Sequence, residues 1–455
     1  MKTVLMITNS FPPGGGSGML RTMKFSQYLP LYGWRPIVLS VREKYNDKKD
    51  YSVLKNIPAQ VVVYRTGILD PLKLFKADNK QAGSRAKNGA NKEVFIEGSP
   101  NKSLVKIIIK GIKRGFLAMF STPDKFIGWL PPAVIKGLAI IYREKTDIIY
   151  STSPSATAAL IGLALKKITA SKFVVDFRDP WALDRANNPR VGKIRLKVEN
   201  WLEYLVFKGA DMVIVNTEYL MRLYVEKFNF KKEKIIVLPN GYDSEDFEAL
   251  KDGLNEADSE KLTISHVGEF YENDREPVEF LKALAGLFKD GRINKEEVQV
   301  NLVGGGEYVS TAKFLGLIEK LDLNSVVRLF PRLPHRESIQ FMARSHVLLL
   351  LQPTPRYKAQ IPAKAFEYLK TGRFIFTIAP NGATADLMKY FESGVVVDEQ
   401  DTLALRERIF ELYVKFTQKR LNQSCPREAL LAKFERRALT KDLSDIFDAI
   451  VKNVT

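Results

Sequence analysis

Residues 173–181 read Phe-Val-Val-Asp-Phe-Arg-Asp-Pro-Trp, so an apolar run delivers two acids and an arginine to a loop edge. The run has the character of a strand buried in a parallel sheet, and ligands of open α/β sheets sit outside the carboxyl ends of their strands. Chemistry is therefore expected beside Arg178 and Asp179. The same two residues also read as an ion pair tying the loop to a neighbouring helix, with Trp181 packed beneath it.

A second group follows the first apolar run of the chain, where residues 11–21 are Phe-Pro-Pro-Gly-Gly-Gly-Ser-Gly-Met-Leu-Arg. Backbone amides around Gly15, Gly16, Ser17 and Gly18 can approach an anion closely, and the helix that follows turns its positive dipole end to a phosphate. This is a diphosphate cradle or a plain tight turn. Met19 breaks the dinucleotide fingerprint, and no Gly-Lys-Ser/Thr follows to make a P-loop. In the second half, Gly268 and Glu269 end a strand and Arg275 stands before the helix that begins near Pro277, where a cation could neutralise a leaving diphosphate. The stretch 361–369, Ile-Pro-Ala-Lys-Ala-Phe-Glu-Tyr-Leu, starts a helix at its proline, and Lys364 and Glu367 at i, i+3 share a face. Such a lysine could meet phosphate and such a glutamate ribose hydroxyls. An intrahelical ion pair is the alternative.

The elements that must position these groups alternate. Strand-like runs at 4–8, 37–41, 61–64, 148–151, 173–176 and 212–215 are spaced by helical segments, and runs at 262–267, 298–303, 326–330, 347–351, 374–378 and 394–397 repeat the rhythm. Each half reads as a Rossmann-like, doubly wound parallel sheet. A turn at 238–243, Leu-Pro-Asn-Gly-Tyr-Asp, marks the junction. The expected division is a first domain at 1–240, a second at 241–425, and a C-terminal helix at 426–455 packing back towards the first.

With 455 residues, two domains are the prior. One cysteine permits no internal disulfide, and with three histidines it is poor material for a zinc site. The opening residues fit a first strand better than a signal peptide, and no apolar run approaches the length of a membrane span. The formal charge of +18 is uneven. Residues 1–240 hold 40 Lys+Arg against 19 Asp+Glu, and the remainder 30 against 33. A positive half-molecule suits nucleic acid or an anionic membrane leaflet, and no nucleic-acid-binding motif accompanies the charge. Within 104–120, Lys106, Lys110, Lys113 and Arg114 fall on one helical face and Val105, Ile108, Ile109, Ile112 and Phe116 on another. This pattern fits a helix lying in a membrane interface or an ordinary solvated surface helix.

Taken together, the segments at 11–21, 123–129 (Pro-Asp-Lys-Phe-Ile-Gly-Trp), 147–157, 176–181, 238–243, 268–277 and 361–369 resemble the GT-B fold glycosyltransferases. The resemblance is closest to the retaining family 4, in a branch associated with exopolysaccharide and surface-polysaccharide assembly. It spans nearly the whole chain. It implies two Rossmann-like domains facing a central cleft, a nucleotide-sugar donor (UDP- or GDP-linked) held mainly by the second, and a polyprenol-diphosphate-linked glycan acceptor held by the first. It implies no separate cofactor. The chain contains no Asp-x-Asp pair to hold a manganese ion, which favours metal-free stabilisation of the leaving group. The expected setting is cytoplasmic, on the inner membrane face.

By the same resemblance Arg275 takes the place of the family's phosphate-binding lysine, Glu367 that of the second acid of the family's Glu-x7-Glu motif, and Lys364 the basic position of this branch. The first acid of that motif would fall at Ala359, which moves contact with the donor sugar to backbone amides around Asn381 and Gly382. The family's arginine after the strand glycine is Glu269 here. Asp179 is assigned to orienting the acceptor or handling its proton, with Arg178 its neighbour. Two other readings stand beside transfer: a degenerate protein of the same fold that binds without turnover, and a nucleotide-sugar epimerase.

Overall fold

The computed structural model describes residues 1–15, 17–46, 49–51, 53–54, 57–69, 122–183, 191–250, 260–272, 274–304, 306, 308–421 and 428–452. The basic segment at 104–120, with Lys106, Lys110, Lys113 and Arg114, lies outside them, as does Gly16. The chain divides into two compact units, Met1–Val213 with Ile450–Thr455, and Ile214–Ala449.

Strands β1 (Lys2–Ile7), β2 (Trp34–Val41), β3 (Val62–Thr66), β4 (Ile148–Thr152), β5 (Lys172–Phe177), β6 (Met212–Val215) and β7 (Ile235–Val237) form one sheet. Its order is β3-β2-β1-β4-β5-β6-β7. β1 runs parallel to β2, with Leu5 opposite Ile37, and to β4, with Leu5 opposite Ile149. Val4, Leu5, Met6 and Ile7 are all buried, because helices cover both faces of a parallel sheet and leave neither side polar.

The second sheet, β8 (Leu262–Val267), β9 (Val298–Val303), β10 (Val327–Phe330), β11 (Val347–Leu351), β12 (Phe374–Ile378) and β13 (Gly394–Val397), has the order β10-β9-β8-β11-β12-β13. Its β11 shows how an unbroken Val-Leu-Leu-Leu-Leu is used. Val347, Leu349 and Leu351 enter one core, and Leu348 and Leu350 enter another on the opposite face. In each sheet the strand order reverses beside the first strand of its run, at β1/β4 and at β8/β11. Outside the carboxyl ends of such strands lies the crevice where ligands of this architecture bind. The glycine segment and the Arg178 loop follow strands of the first sheet. The Gly268 loop follows β8 of the second, and the helix Ala363–Thr371 ends at Gly372, whose φ of 68° makes a left-handed cap.

Candidate active site

In the first unit the helix Ser17–Tyr28 begins directly after the glycines, and its first turn meets the loop after β5. A Cβ placed on Gly18 would lie 3.0 Å from Arg178 Nη1, so the guanidinium rests against the glycine segment. Arg178 in turn is ion-paired with Asp179, whose side chain is 35% exposed against 10% for Arg178. The Asp179 amide donates to Ser153 Oγ at 2.9 Å. Gly18, Arg178 and Asp179 are thus brought together, with the carboxylate on the accessible side. Gly15 sits just before them, and the backbone of Ser17 opens the helix.

Beneath lies a closed polar network. Arg21 Nε donates to Asp176 Oδ2 at 2.8 Å, with both side chains fully buried. The same carboxylate accepts from Tyr150 Oη at 2.5 Å and Thr152 Oγ1 at 3.1 Å. Burial works against the Arg21 charge, but Asp176 and the Tyr150 oxygen together outweigh it and the pKa is raised. The Tyr150 hydroxyl is pushed well up, first by burial and then by Asp176. Trp181 Nε1 donates to Glu199 at 3.3 Å and the Ala182 amide to Glu203 at 3.2 Å. Both glutamates belong to the helix Lys193–Gly209 and are fully buried.

In the second unit Lys364 leaves the first turn of Ala363–Thr371 and reaches across to the end of β8. Its Nζ lies 2.9 Å from His266 Nε2 and donates to the Val267 carbonyl at 3.3 Å. A Cβ on Gly268 would stand 2.3 Å from that ammonium, so the glycine makes room for it. Gly268 has φ +149° and Gly304 φ +129°, and a Cβ on Gly304 would meet the Gly268 carbonyl at 2.2 Å. The turns after β8 and β9 therefore pack backbone against backbone, which only glycine allows.

His266 fixes the lysine. Its Nδ1 is 2.8 Å from the Leu349 carbonyl, which can only accept, so Nδ1 carries the proton and Nε2 presents a lone pair to Lys364. Burial, reinforced by the Lys364 cation, holds the His266 pKa well below its usual value. Burial, reinforced by the Arg275 cation, does the same to Lys364. Arg275 itself sits between two rings, its guanidinium carbon 5.1 Å from the centroid of Tyr357 and 5.9 Å from that of Tyr271. Its Nε is buried with no hydrogen-bond partner among the described residues. The rings are held in turn. Tyr357 donates to Asp274 at 2.6 Å, and Tyr271 donates to Glu269 at 2.5 Å. Burial and then that Glu269 bond push the Tyr271 pKa up to about 12.

Two cations thus share the end of β8, supported by an imidazole and two aromatic faces. An arrangement of this kind attracts an anion with several oxygens. Glu367, one turn along the helix, has a half-buried carboxylate 3.8 Å from His335 Nε2, and that imidazole also contacts Asp246 at 3.1 Å. Lys364 and Glu367 do share a helical face, yet the lysine is drawn to β8. Ala359 is buried in the turn Pro355–Ala359. Asn381 is exposed after β12, and Gly382 precedes the helix Ala383–Phe391, with Lys358 O 2.5 Å from where its Cβ would be.

Sequence reasoning missed His266, Tyr271 and Tyr357. For His266 a signal existed, since period two puts Leu262, Ile264 and His266 on one face of a buried strand, and a polar group there must be paired. The tyrosines gave none, because they come from separate turns and meet only around Arg275.

Residues 88–246 match the family model described as Glycosyltransferase Family 4, and residues 247–421 match Glycosyl transferases group 1. No curated protein matches the sequence. Among solved structures, sucrose-phosphate synthase from Thermosynechococcus elongatus aligns over 100% of both chains with a TM-score of 0.66 and 15% identity. Anabaena HepE in complex with UDP-glucose covers 99% of this chain and 100% of its own, with a TM-score of 0.64 and 15% identity. WaaG, a glycosyltransferase involved in lipopolysaccharide biosynthesis, covers 98% and 99%, with a TM-score of 0.60 and 15% identity.

Proposed function

Since this chain belongs to the family 4-like GT-B glycosyltransferases, we propose that it moves one sugar from a UDP- or GDP-linked donor to a polyprenol-diphosphate-linked glycan, with retention and without a metal, in surface or exopolysaccharide assembly. The observation that carries the donor half is the Arg275 and Lys364 pair, two neighbouring cations whose direct contacts are two tyrosine rings, an imidazole and a carbonyl, with one buried nitrogen unpartnered among the described residues. A donor diphosphate supplies the missing negative charge. As the bond from the sugar's anomeric carbon to the diphosphate breaks, its electron pair passes to the phosphate oxygen, where these cations stabilise it more than they stabilise the intact donor. We also assign the backbone amides of Gly15, Gly16, Ser17 and Gly18 to donor phosphate, as the glycine sequence suggests. Glu367 takes the ribose hydroxyls, and amides around Gly268, Asn381 and Gly382 take the donor sugar.

The acceptor hydroxyl bonds to the anomeric carbon from the side the diphosphate leaves, and its proton passes to the departing phosphate oxygen. Asp179, half-exposed and steadied by Arg178, orients that hydroxyl. Support for a lipid-linked acceptor is the charge of the first half and the lipopolysaccharide role of WaaG. No helix among the described residues is long and apolar enough to cross a membrane. On this reading the enzyme meets its acceptor at the cytoplasmic membrane surface.

Thermal unfolding against a panel of UDP, GDP, ADP, CMP and dTDP sugars, with and without chelator, tests the donor. Saturation at about 100 times Kd adds roughly 2.7 kcal/mol to stability. A selective shift that survives chelator and disappears in Arg275→Ala supports the proposal. A shift that needs divalent metal, or one indifferent to Arg275, contradicts it.

A further inference from the structure

The helix Lys193–Gly209 is built inside out. Its two glutamates, Glu199 and Glu203, are fully buried against the Trp181 loop, while Ile194 is 82% exposed, Trp201 59% and Val198 41%. At 100° per residue Ile194, Val198, Trp201 and Leu205 fall within one narrow stripe, and Glu199, Glu203, Val206 and Phe207 lie on the opposite side. The structure agrees, since the latter four are buried and Leu205 is half-buried at the stripe's end. Along one edge of the stripe run Lys193, Lys197 and Lys208, all exposed, together with Tyr204. Arg195 points its charge inward, to Glu199 at 2.7 Å and to the Pro123 carbonyl. The outward charge of this helix is therefore entirely positive. The helix Ala156–Thr169 packs beside it and adds exposed Ile168 next to exposed Lys167.

We infer that the outer face of Lys193–Gly209 is a docking surface for an anionic lipid leaflet, into which Ile194, Val198 and Trp201 insert while Lys193, Lys197 and Lys208 contact the headgroups. A stripe of aliphatic side chains with one indole, edged by lysines, is the composition of a helix lying in the plane of a membrane interface. Charge complementarity selects this occupant. A second copy of the chain would set two exclusively positive helix faces against each other, which disfavours association, whereas anionic headgroups neutralise the lysine edge. The glutamates that would oppose such contact are withdrawn into the Trp181 loop. The inference rests on the membrane-surface reading above and deepens it, because the helix that docks the enzyme also anchors, through Glu199 and Glu203, the loop carrying Arg178 and Asp179. Docking would thereby present the acceptor side of the enzyme to a lipid-linked substrate.

The chain carries its own probe. Of its four tryptophans, Trp34, Trp129 and Trp181 are buried and Trp201 alone is exposed. The full-length protein is mixed with vesicles of phosphatidylcholine alone or of phosphatidylcholine with phosphatidylglycerol, and both sedimentation and tryptophan emission are read. The expected result is co-sedimentation with the anionic vesicles only, with a blue-shifted emission protected from acrylamide. Trp201→Phe should still sediment but lose the emission change. Ile194→Glu combined with Val198→Glu should abolish sedimentation while leaving the melting temperature and the nucleotide-induced shift intact. Sedimentation with unchanged emission would overturn this assignment and leave the membrane reading standing, since lipid contact would then lie elsewhere. Absence of sedimentation sinks both. Failure to glycosylate a lipid-linked acceptor, with docking intact, sinks only the acceptor proposal. Concentration-dependent dimerisation lost in Ile194→Glu would assign the face to a second copy and also overturn the inference.

Discussion

Two arginines in this molecule face opposite fates. Arg21, in the first unit, is fully buried and answered by Asp176, which also takes Tyr150 and Thr152, so charge and hydrogen-bonding capacity close on themselves. Arg275, in the second, is propped between two tyrosine rings, and its neighbour Lys364 rests on an imidazole and the Val267 carbonyl. A buried ion pair that balances is architecture, and it holds the glycine helix to the end of β5. Neighbouring cations with no carboxylate in direct contact among the described residues cost stability in the free protein, and on the proposed reading recover it when an anion arrives.

The sharpest way to break the comparison is to remove one cation from each region. Arg21→Met leaves Asp176 as an uncompensated buried charge, at a cost of about 3–5 kcal/mol. At ~2–4 °C per kcal/mol this lowers the melting temperature by roughly 6–20 °C. Lys364→Met should do the reverse, leaving the melting temperature unchanged or higher while transfer falls by about 10²–10³-fold, the usual loss when one leaving-group donor is removed. Calorimetric scans and initial rates on the same two variants check both halves. Equal destabilisation by the two substitutions would erase the distinction.

Protonation sharpens it further. The folded-state pKa of Lys364 is depressed by burial and by Arg275, so a bound diphosphate should raise it again. Nucleotide binding is then expected to take up protons, seen as a dependence of the calorimetric heat on buffer ionisation enthalpy. Lys364→Met should abolish that dependence.

A smaller effect concerns the histidines. His266 is held well below its ordinary 6.5 by burial and Lys364, and His346 is lowered to about 4 by burial and the Arg373 cation. Between pH 6.5 and 4 the unfolded chain binds protons that these folded sites refuse, so stability falls as pH drops, by up to ~1.4 kcal/mol per pH unit for each. Above pH 6.5 the histidines contribute no slope. His346→Asn should flatten the acid limb of melting temperature against pH, and a steeper limb would contradict the assignment. His266→Gln should leave donor Kd nearly unchanged but lower kcat, because Lys364 loses its aim rather than its charge.

Much of the fold was legible because fully buried parallel strands leave unbroken apolar runs, as at Val347–Leu351, and because Gly, Pro and Asn punctuate the connections. Gly268, Arg275, Lys364 and Glu367 could be picked out since each stands at a strand end or a helix start. What holds them was not legible. His266 lies on β8, and Tyr271 and Tyr357 lie on turns that only the β8/β11 pairing of the sheet brings towards one another. The helix Lys193–Gly209 shows the reverse problem. Its apolar stripe has the period of a core-facing helix, and only the burial of Glu199 and Glu203 reveals that the stripe faces outward.

Arg275 and Lys364 are proposed as the seat of the donor diphosphate. Titration calorimetry of the nucleoside diphosphate that stabilises the wild-type enzyme, repeated on Arg275→Ala, Lys364→Met and Arg178→Ala, tests it most directly. Affinity is expected to drop by at least about tenfold, or 1.4 kcal/mol, in each of the first two and to be retained in the third. Undiminished affinity in Arg275→Ala and Lys364→Met would contradict it.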